Sequence, residues 1–394
     1  MQYRTDNKSG NKLSIIGFGC MRFPRNVTRI DLNRTEQLIV KAVQEGINYF
    51  DTAYSYSGSE ETLGTILAAN NLRDKIFLAT KLPIGKCHTY EDFESLFQTS
   101  LKRLQTDYID YYLIHNISDI HSWTRLCDLG IEQWIQEKKA SGQIKQIGFS
   151  FHGILDEFLN LLDAYDWDFC QIQYNYLNIN YQAGEAGLKK AAGKSIPIII
   201  MEPLLGGKLA SGLPRKAIET FKAANRSLTP AAWALRWLWN QPEVTVVLSG
   251  MNEMSQLEDN IATAQDAVPG MLSTAENDAC NSVIKIIEST YKVPCTGCNY
   301  CLPCPHNVNI PACFASYNAS HAVGMISGFH LYATSTALLN PRKNYAASNC
   351  TQCGTCEKKC PQHIPIPKSL KKVTKRMEPF WFKTALNLYM KFVF

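Results

Sequence analysis

The stretch Asn48-Tyr49-Phe50-Asp51-Thr52-Ala53-Tyr54-Ser55-Tyr56 reads as a buried apolar strand that ends in an acid and runs into a short loop presenting a tyrosine. A carboxylate and a phenol at one strand tip suggest proton chemistry, because a tyrosine with a pKa near ~10 acts at neutral pH only when nearby charge lowers it. Two later strand-like runs end in residues that bear on that charge. Ile76-Phe77-Leu78-Ala79-Thr80-Lys81 closes on a lysine, and Ile109-Asp110-Tyr111-Tyr112-Leu113-Ile114-His115 closes on a histidine.

Outward from this core, β-rich runs alternate with amphipathic segments of roughly 10 to 15 residues from Ile15 to about Ala267, the pattern of βα units around a parallel sheet. The strand candidates are Ile15 to Gly19, Ile47 to Phe50, Ile76 to Lys81, Ile109 to His115, Ile144 to Ser150, Phe169 to Gln173, Ile196 to Met201 and Val244 to Leu248. Their number is the one that closes a (β/α)8 TIM barrel, and in that fold the carboxyl ends of the strands converge on one mouth. Asp51, Tyr56, Lys81 and His115 can therefore meet although they are far apart in sequence.

The 394 residues are enough for a catalytic domain and a smaller second one. After Pro269 the texture changes. Met271 to Tyr291 reads as one helix, Pro294 opens a cysteine-rich region, and Val308 to Tyr345 between its two cysteine runs reads as helical. The expected division is a barrel over 1–268, a linker helix and mainly helical iron-sulfur domain over 269–376, and an amphipathic C-terminal helix over 377–394. Lys and Arg exceed Asp and Glu by 40 to 35, a mild excess spread along the chain rather than a dense basic stripe, which argues against nucleic acid as a partner. Met1 to Leu13 is polar and lacks an apolar signal core, so a cytoplasmic location is expected.

Taken alone, a strand-end Asp caps a helix, a Lys is solvated and a His is a satisfied structural residue. Taken together they fit one mechanism. Lys81, paired with Asp51, places positive charge beside Tyr56 and stabilises its phenolate, while His115 orients a carbonyl oxygen. Phe50-Asp51-Thr52-Ala53-Tyr54-Ser55-Tyr56, followed by Ser59-Glu60, Thr80-Lys81 and Leu113-Ile114-His115, resembles the aldo/keto reductase signature, over about residues 13 to 267. The resemblance implies a nicotinamide-dependent oxidoreductase with Tyr56 as general acid/base, Asp51 and Lys81 tuning it and His115 positioning the substrate. It also implies where NADP or NAD lies. Ser150 in Gly148-Phe149-Ser150-Phe151-His152 and Gln173 in Gln171-Ile172-Gln173-Tyr174-Asn175 are similar to residues that hold the carboxamide. Glu202, Pro203, Leu204 and Gly206 resemble the pyrophosphate loop, and Ser249, Gly250, Met251, Gln256, Asp259 and Asn260 the adenosine-phosphate site. Gln256 stands where a basic residue often grips the 2′-phosphate.

Of the 14 cysteines, eight fall in two runs, which in a non-exported protein points to metal ligation rather than disulfides. Cys350-x2-Cys353-x2-Cys356-x3-Cys360-Pro361 has the ligand spacing of bacterial ferredoxins, whose thiolates hold 4Fe-4S clusters. Cys295-x2-Cys298-x2-Cys301-x2-Cys304-Pro305 is one residue shorter before its last Cys. Because the fourth Cys of such a run ligates the other cluster, Cys295, Cys298, Cys301 and Cys360 are assigned to one cluster, and Cys350, Cys353, Cys356 and Cys304 to the second. Two all-cysteine zinc sites are the alternative. Cys20, Cys87, Cys127, Cys170, Cys280 and Cys313 are read as ordinary thiols.

The leading expectation is electron transfer between a carbonyl-reducing nicotinamide site and two clusters. Hydride transfer moves two electrons while each cluster takes one, and the sequence has no flavin fingerprint to join them. An external electron-transfer protein is thus one expected partner, beside a small carbonyl or alcohol substrate. The alternative is a nicotinamide-binding redox sensor or regulatory module with structural clusters and little turnover. Phe380 to Phe394, after a basic run, carries apolar stripes at helical spacing; packing back on the protein is favoured over contact with a membrane surface. The loops carry no code for a particular substrate.

Overall fold

The computed structural model describes residues 1–379, apart from Thr28, Thr296, Cys298, Asn299, 339–343 and Pro361. The expected C-terminal helix lies, from Phe380 onward, outside the described residues, as does the expected ligand Cys298. Eight parallel strands close a barrel in chain order: β1 (Ile16–Gly19), β2 (Tyr49–Asp51), β3 (Phe77–Pro83), β4 (Ile109–Ile117), β5 (Ile144–Phe151), β6 (Phe169–Gln173), β7 (Ile198–Met201) and β8 (Val244–Ser249). Each lies where the sequence places a strand. β2 starts two residues later than expected and takes in Asp51, which is registered against Ala79 of β3 and Gly19 of β1.

Side chains alternate across a strand, so one face of each strand points into the barrel. The inner set begins apolar and ends polar. Tyr49, Ala79, Tyr111, Leu113, Phe169, Ile199 and Val246 form one buried cluster at the amino end, closed by Leu13. Tyr111 stacks edge-on against Tyr49 and Phe169 at 5.2 and 5.0 Å, and its hydroxyl donates to Asp6 at 2.7 Å. An antiparallel hairpin, Tyr3–Thr5 with Lys12–Ser14, supplies Asp6 and Leu13 and plugs that end. Two residues further along the same inner faces come Asp51, Lys81, His115 and Gln171. The packed amino end leaves the carboxyl end as the only place where these polar groups can function. The opposite strand faces pack against the surrounding helices in one large core.

The helix expected as a linker, observed as Thr274–Glu288, is seated on the barrel side. Ser273 and Glu276 form a capping box at its start, and Arg236 of the helix Pro230–Trp239 reaches Glu276 at 3.2 Å. Its buried Ala279, Cys280, Val283 and Ile287 share a core with Ala217 and Phe221. Next, the helix Ile310–Ala322 is buried nearly all round. Ala315 and Ala319 belong to that barrel-side core, while Cys313, Phe314 and Tyr317 belong to the core around the cysteine runs. A helix with such small and apolar faces is stable only between two partners. Here it is the seam between barrel and cysteine region. The helices Met325–Ser335 and Ile366–Met377 complete that region. Among the described residues, no helix is long and apolar enough to cross a membrane.

Candidate active site and cysteine region

The loop after β2 is fixed before it reaches Tyr56. Thr52 and Ser59 hydroxyls pair at 2.8 Å, the Tyr56 amide donates to Ala53 O at 3.0 Å, and the Ser59 amide to Tyr56 O at 2.9 Å. Beneath it, Lys81 Nζ donates to Asp51 Oδ1 at 2.6 Å and to Thr52 O at 2.7 Å, with both side chains buried. Gln171 Nε2 donates to the other Asp51 oxygen at 2.9 Å. The Lys81 ammonium lies 5.2 Å from the Tyr56 ring centre, and the His115 ring stands edge-on to Tyr56 at 6.0 Å. The four residues read from separate strand ends therefore meet in one place.

Burial pushes the Tyr56 phenol above its ordinary range; Lys81 pulls it down, by charge and by a hydrogen bond, without overcoming the burial. The sequence expectation that Lys81 would govern Tyr56 thus holds for the sign of its influence and not for the net shift. Burial disfavours the charge on Lys81, but Asp51 and Tyr56 together raise its pKa. His115 is driven down to about 3, by burial first and then by Lys81 and His152, so its imidazole is neutral at physiological pH.

Around this centre, Ser150 is buried and its hydroxyl accepts from the Asn116 amide at 2.8 Å. Gln173 is fully buried, and among the described residues neither its amide nitrogen nor its oxygen has a partner. Leaving such a group unpaired costs about 1–3 kcal/mol. Gly206 and Gly207 have φ of 68° and 91°, so the backbone turns there in a conformation other residues resist. Arg22, which sequence reasoning passed over, lies across the two loops expected to hold the cofactor: its guanidinium donates to Gly206 O at 3.1 Å and its stem packs on Gly250.

Other residues of the expected cofactor set are turned to neighbours within the protein. Ser249 accepts from Asn260 at 3.0 Å, Gln256 accepts from the Asn252 amide at 3.0 Å, and Asp259 accepts from Thr229 at 2.7 Å. Met251 is buried. Glu202 has φ of 56°, unusual for a residue with a side chain. Its carboxylate faces His330 Nδ1 at 3.6 Å and is near enough to His152 and Tyr56 to bias both. His330 belongs to Met325–Ser335, and from the same helix Ser335 accepts from Gln182 at 3.2 Å, while Gln182 pairs with His152 at 3.1 Å. The cysteine region thus walls one side of the barrel mouth. No local pattern around His330 could have announced this.

The two cysteine runs flank the seam helix. Asn318 on that helix accepts from the Lys292 and Val293 amides, each at 3.0 Å, and returns a bond to Val293 O at 2.7 Å, pinning the chain just before Cys295. Gly297, with φ of 70°, sits so close to Asn180 of the barrel that a Cβ would approach its side chain to 3.0 Å. Cys295, Cys301, Cys304, Cys350, Cys356 and Cys360 pack half-buried against one core, while Cys353 is exposed. Burial raises the Cys356 thiol to about 11, and the neighbours that add to this are Cys304, Cys350 and Cys353. Cys304, from the first run, is therefore among the neighbours that act on Cys356 of the second. Among the described residues, no three His, Cys, Asp or Glu side chains are grouped as for a single metal ion. Of the six thiols read as ordinary, all are buried except the half-buried Cys127.

A closed parallel (β/α)8 barrel with polar side chains gathered at the carboxyl ends of its strands has the architecture of a barrel enzyme. The comparisons name the family. Residues 15–284 match the model of the aldo/keto reductase family and residues 294–366 that of the 4Fe-4S dicluster domain. The chain belongs to the aldo/keto reductase family, and is an oxidoreductase. Among its relatives, the protein tas of Escherichia coli (strain K12) is 26% identical over 325 residues, covering 66% of this chain and 92% of that protein. L-galactose dehydrogenase of Arabidopsis thaliana is 26% identical over 291 residues, covering 68% and 89%. Among solved structures, an aldo-keto reductase from Klebsiella pneumoniae in complex with NADPH has a TM-score of 0.58 at 22% identity, over 72% of this chain and 95% of that one. At that identity the likeness is one of fold.

Proposed function

We propose that this protein reduces a small carbonyl compound, or oxidises the corresponding alcohol, with NADP or NAD, and that its cysteine region carries two 4Fe-4S clusters serving a separate electron-transfer protein. The observation that carries the first part is the buried Lys81–Asp51 pair, 2.6 Å apart, beneath Tyr56. Tyr56 gives its phenolic proton to the carbonyl oxygen in reduction and recovers it in the reverse direction. Lys81 offsets the negative charge left on the phenol, and Asp51, held by Gln171, keeps Lys81 charged and in place. His115, being neutral, offers a hydrogen bond to the carbonyl oxygen without bringing a competing acid.

When bound, the nicotinamide supplies the hydride and the clusters supply one-electron storage. The unpaired amide of Gln173 suits a carboxamide, which presents the complementary donor and acceptor, and Ser150 lies on the neighbouring strand. Arg22, between the turn at Gly206 and the loop at Gly250, suits a phosphate. Pro203, Leu204 and Met251 line those two loops. Gln256 is neutral, so NADP is supported by the NADPH complex of a neighbour rather than by a cation at that position. The action of Cys304, beside Cys350 and Cys353, on Cys356 supports the crossed assignment, which leaves Cys295, Cys298, Cys301 and Cys360 for the other cluster. The same reading divides the chain at 268 and 376.

The test uses anaerobically purified protein. About eight iron and eight sulfide per chain are expected, together with NADPH oxidation on adding an activated aldehyde such as 4-nitrobenzaldehyde. Zinc in place of iron would overturn the cluster half, and the absence of turnover with a panel of aldehydes, ketones and quinones would overturn the other.

A further inference from the structure

The mild positive charge of the chain is not evenly shared. Residues 1–293 hold 29 Lys and Arg against 33 Asp and Glu, a net −4, whereas residues 294–394 hold 11 against 2, a net +9. The negative charge of thiolate-bound clusters would reduce this excess without reversing it. One of those two acids, Glu378, is buried and accepts from Tyr332 and from the Ser348 amide.

Six of these cations are lysines between residues 358 and 375. Lys358 and Lys359 lie in the turn directly after Cys356. The helix Ile366–Met377 buries Ile366, Leu370, Val373 and Met377 in the core against which Cys350, Cys356 and Cys360 pack. Its opposite face carries Lys368, Lys371, Lys372 and Lys375, all exposed. Among the described residues none of these six lysines is in an ion pair, whereas on the barrel Lys41, Lys138, Lys139, Lys189 and Lys194 each hold a carboxylate. Cys353 is exposed and Cys356 half-buried in the same region.

We propose that this lysine face, around Cys353 and along the outer side of Ile366–Met377, is the docking surface for an acidic one-electron carrier protein. The proposal rests on the reading that the cysteines hold clusters. Redox encounters are small and short-lived, so charge complementarity supplies their speed and orientation. A surface mainly of one sign, with Glu357 as its exposed acid among the described residues and its lysines outside any ion pair there, orients a carrier toward the region that holds the clusters without a large interface. Each encounter moves one electron from the carrier to the cluster or back, which matches the cluster's own capacity. Nucleic acid also favours lysines, but it accepts no electron from Cys353's cluster.

The experiment mixes the anaerobic holoprotein with a reduced acidic flavodoxin in a stopped-flow instrument and follows cluster bleaching from low to high ionic strength. The second-order rate is expected to fall at least about tenfold as salt rises. Lys371→Glu/Lys372→Glu/Lys375→Glu is expected to lower the low-salt rate at least about tenfold, with iron, sulfide and direct reduction by dithionite unchanged. A wild-type rate indifferent to salt, or a triple variant as fast as wild type, would overturn the proposal. So would loss of sedimentation with phosphatidylserine vesicles in the variant at an unchanged flavodoxin rate, which would give the lysines to a membrane. Absence of iron in the purified chain would instead overturn the cluster reading beneath it.

Discussion

The barrel mouth and the cysteine region assemble their polar groups by opposite means. At the mouth, Asp51, Lys81 and His115 come from three strands, and each is fixed by the closed sheet before it meets the others; the charges then cancel inside, as Lys81 on Asp51 does at 2.6 Å. In the cysteine region, two short runs supply the thiols, one buried helix holds both, and the surplus charge is turned outward on exposed lysines that hold no ion pair among the described residues. The difference teaches where each half is vulnerable. A substitution at the mouth removes chemistry or leaves a buried charge exposed to its own desolvation. A substitution in the cysteine region removes a ligand while the barrel, with its own core, stands.

The largest effect is expected from Tyr56→Phe. It removes the proton donor and little else, so kcat for carbonyl reduction should fall by about 10²–10⁴, with cofactor affinity, measured by fluorescence titration, within about twofold. Normal turnover in this variant would mean that the mouth moves its proton by another group. Next is Lys81→Met, which strands Asp51 in the interior. It should cost about 3–5 kcal/mol of stability in denaturant titrations as well as activity. Adding Asp51→Asn should restore much of the stability and none of the activity, because the cost is that of an unpaired buried charge. If the single variant were as stable as wild type, the mouth would be wetter than its burial indicates.

Cys304→Ser tests the other side of the comparison. If Cys304 serves the second run, the variant should lose about half its iron and sulfide, while aldehyde turnover at the barrel stays within about twofold of wild type. Full iron would assign the fourth ligand elsewhere. A collapse of barrel activity would mean that the seam transmits damage, for which the helix Met325–Ser335 is one route, since it carries His330 to Glu202.

The strands were legible because each is a short, β-rich apolar run between amphipathic segments, and Asp51, Lys81 and His115 because they close or directly follow such runs. Both cysteine runs were legible from spacing alone. What could not be read depends on contacts between segments with no shared pattern. Gln171 looks like any strand glutamine until Asp51 is seen opposite it, and Arg22 is one exposed arginine among many until Gly206 and Gly250 flank it. His330 becomes part of the mouth only through the way the seam helix seats the second region. The net shift of Tyr56 escaped for another reason: the sequence displays the lysine that lowers it but not the burial that outweighs the lysine. The even spread of charge was also misleading, since two halves of opposite sign average to a mild total.

The smallest expected effect, that of pH, separates the two regions most cleanly. His115 is neutral at the mouth because burial, helped by Lys81 and His152, takes its pKa down to about 3, and the Tyr56 phenol is raised rather than lowered. Both groups therefore keep one protonation state from about pH 6 to 9, and kcat/KM for aldehyde reduction should be nearly flat across that range, measured at constant ionic strength. The cost of this masking appears in stability. An unfolded His115 takes up a proton near ~6.5 while the folded one does not. This cost is absent above that value and grows as pH falls toward 3, so Tm should decline on acidification and His115→Phe should blunt the decline. The lysine face is instead distinguished by its sensitivity to salt. Salt should therefore slow exchange with an acidic carrier while leaving aldehyde turnover untouched, and a kcat/KM limb near ~6.5 would show instead that His115 titrates in the open and that the mouth is not sealed by the packing around it.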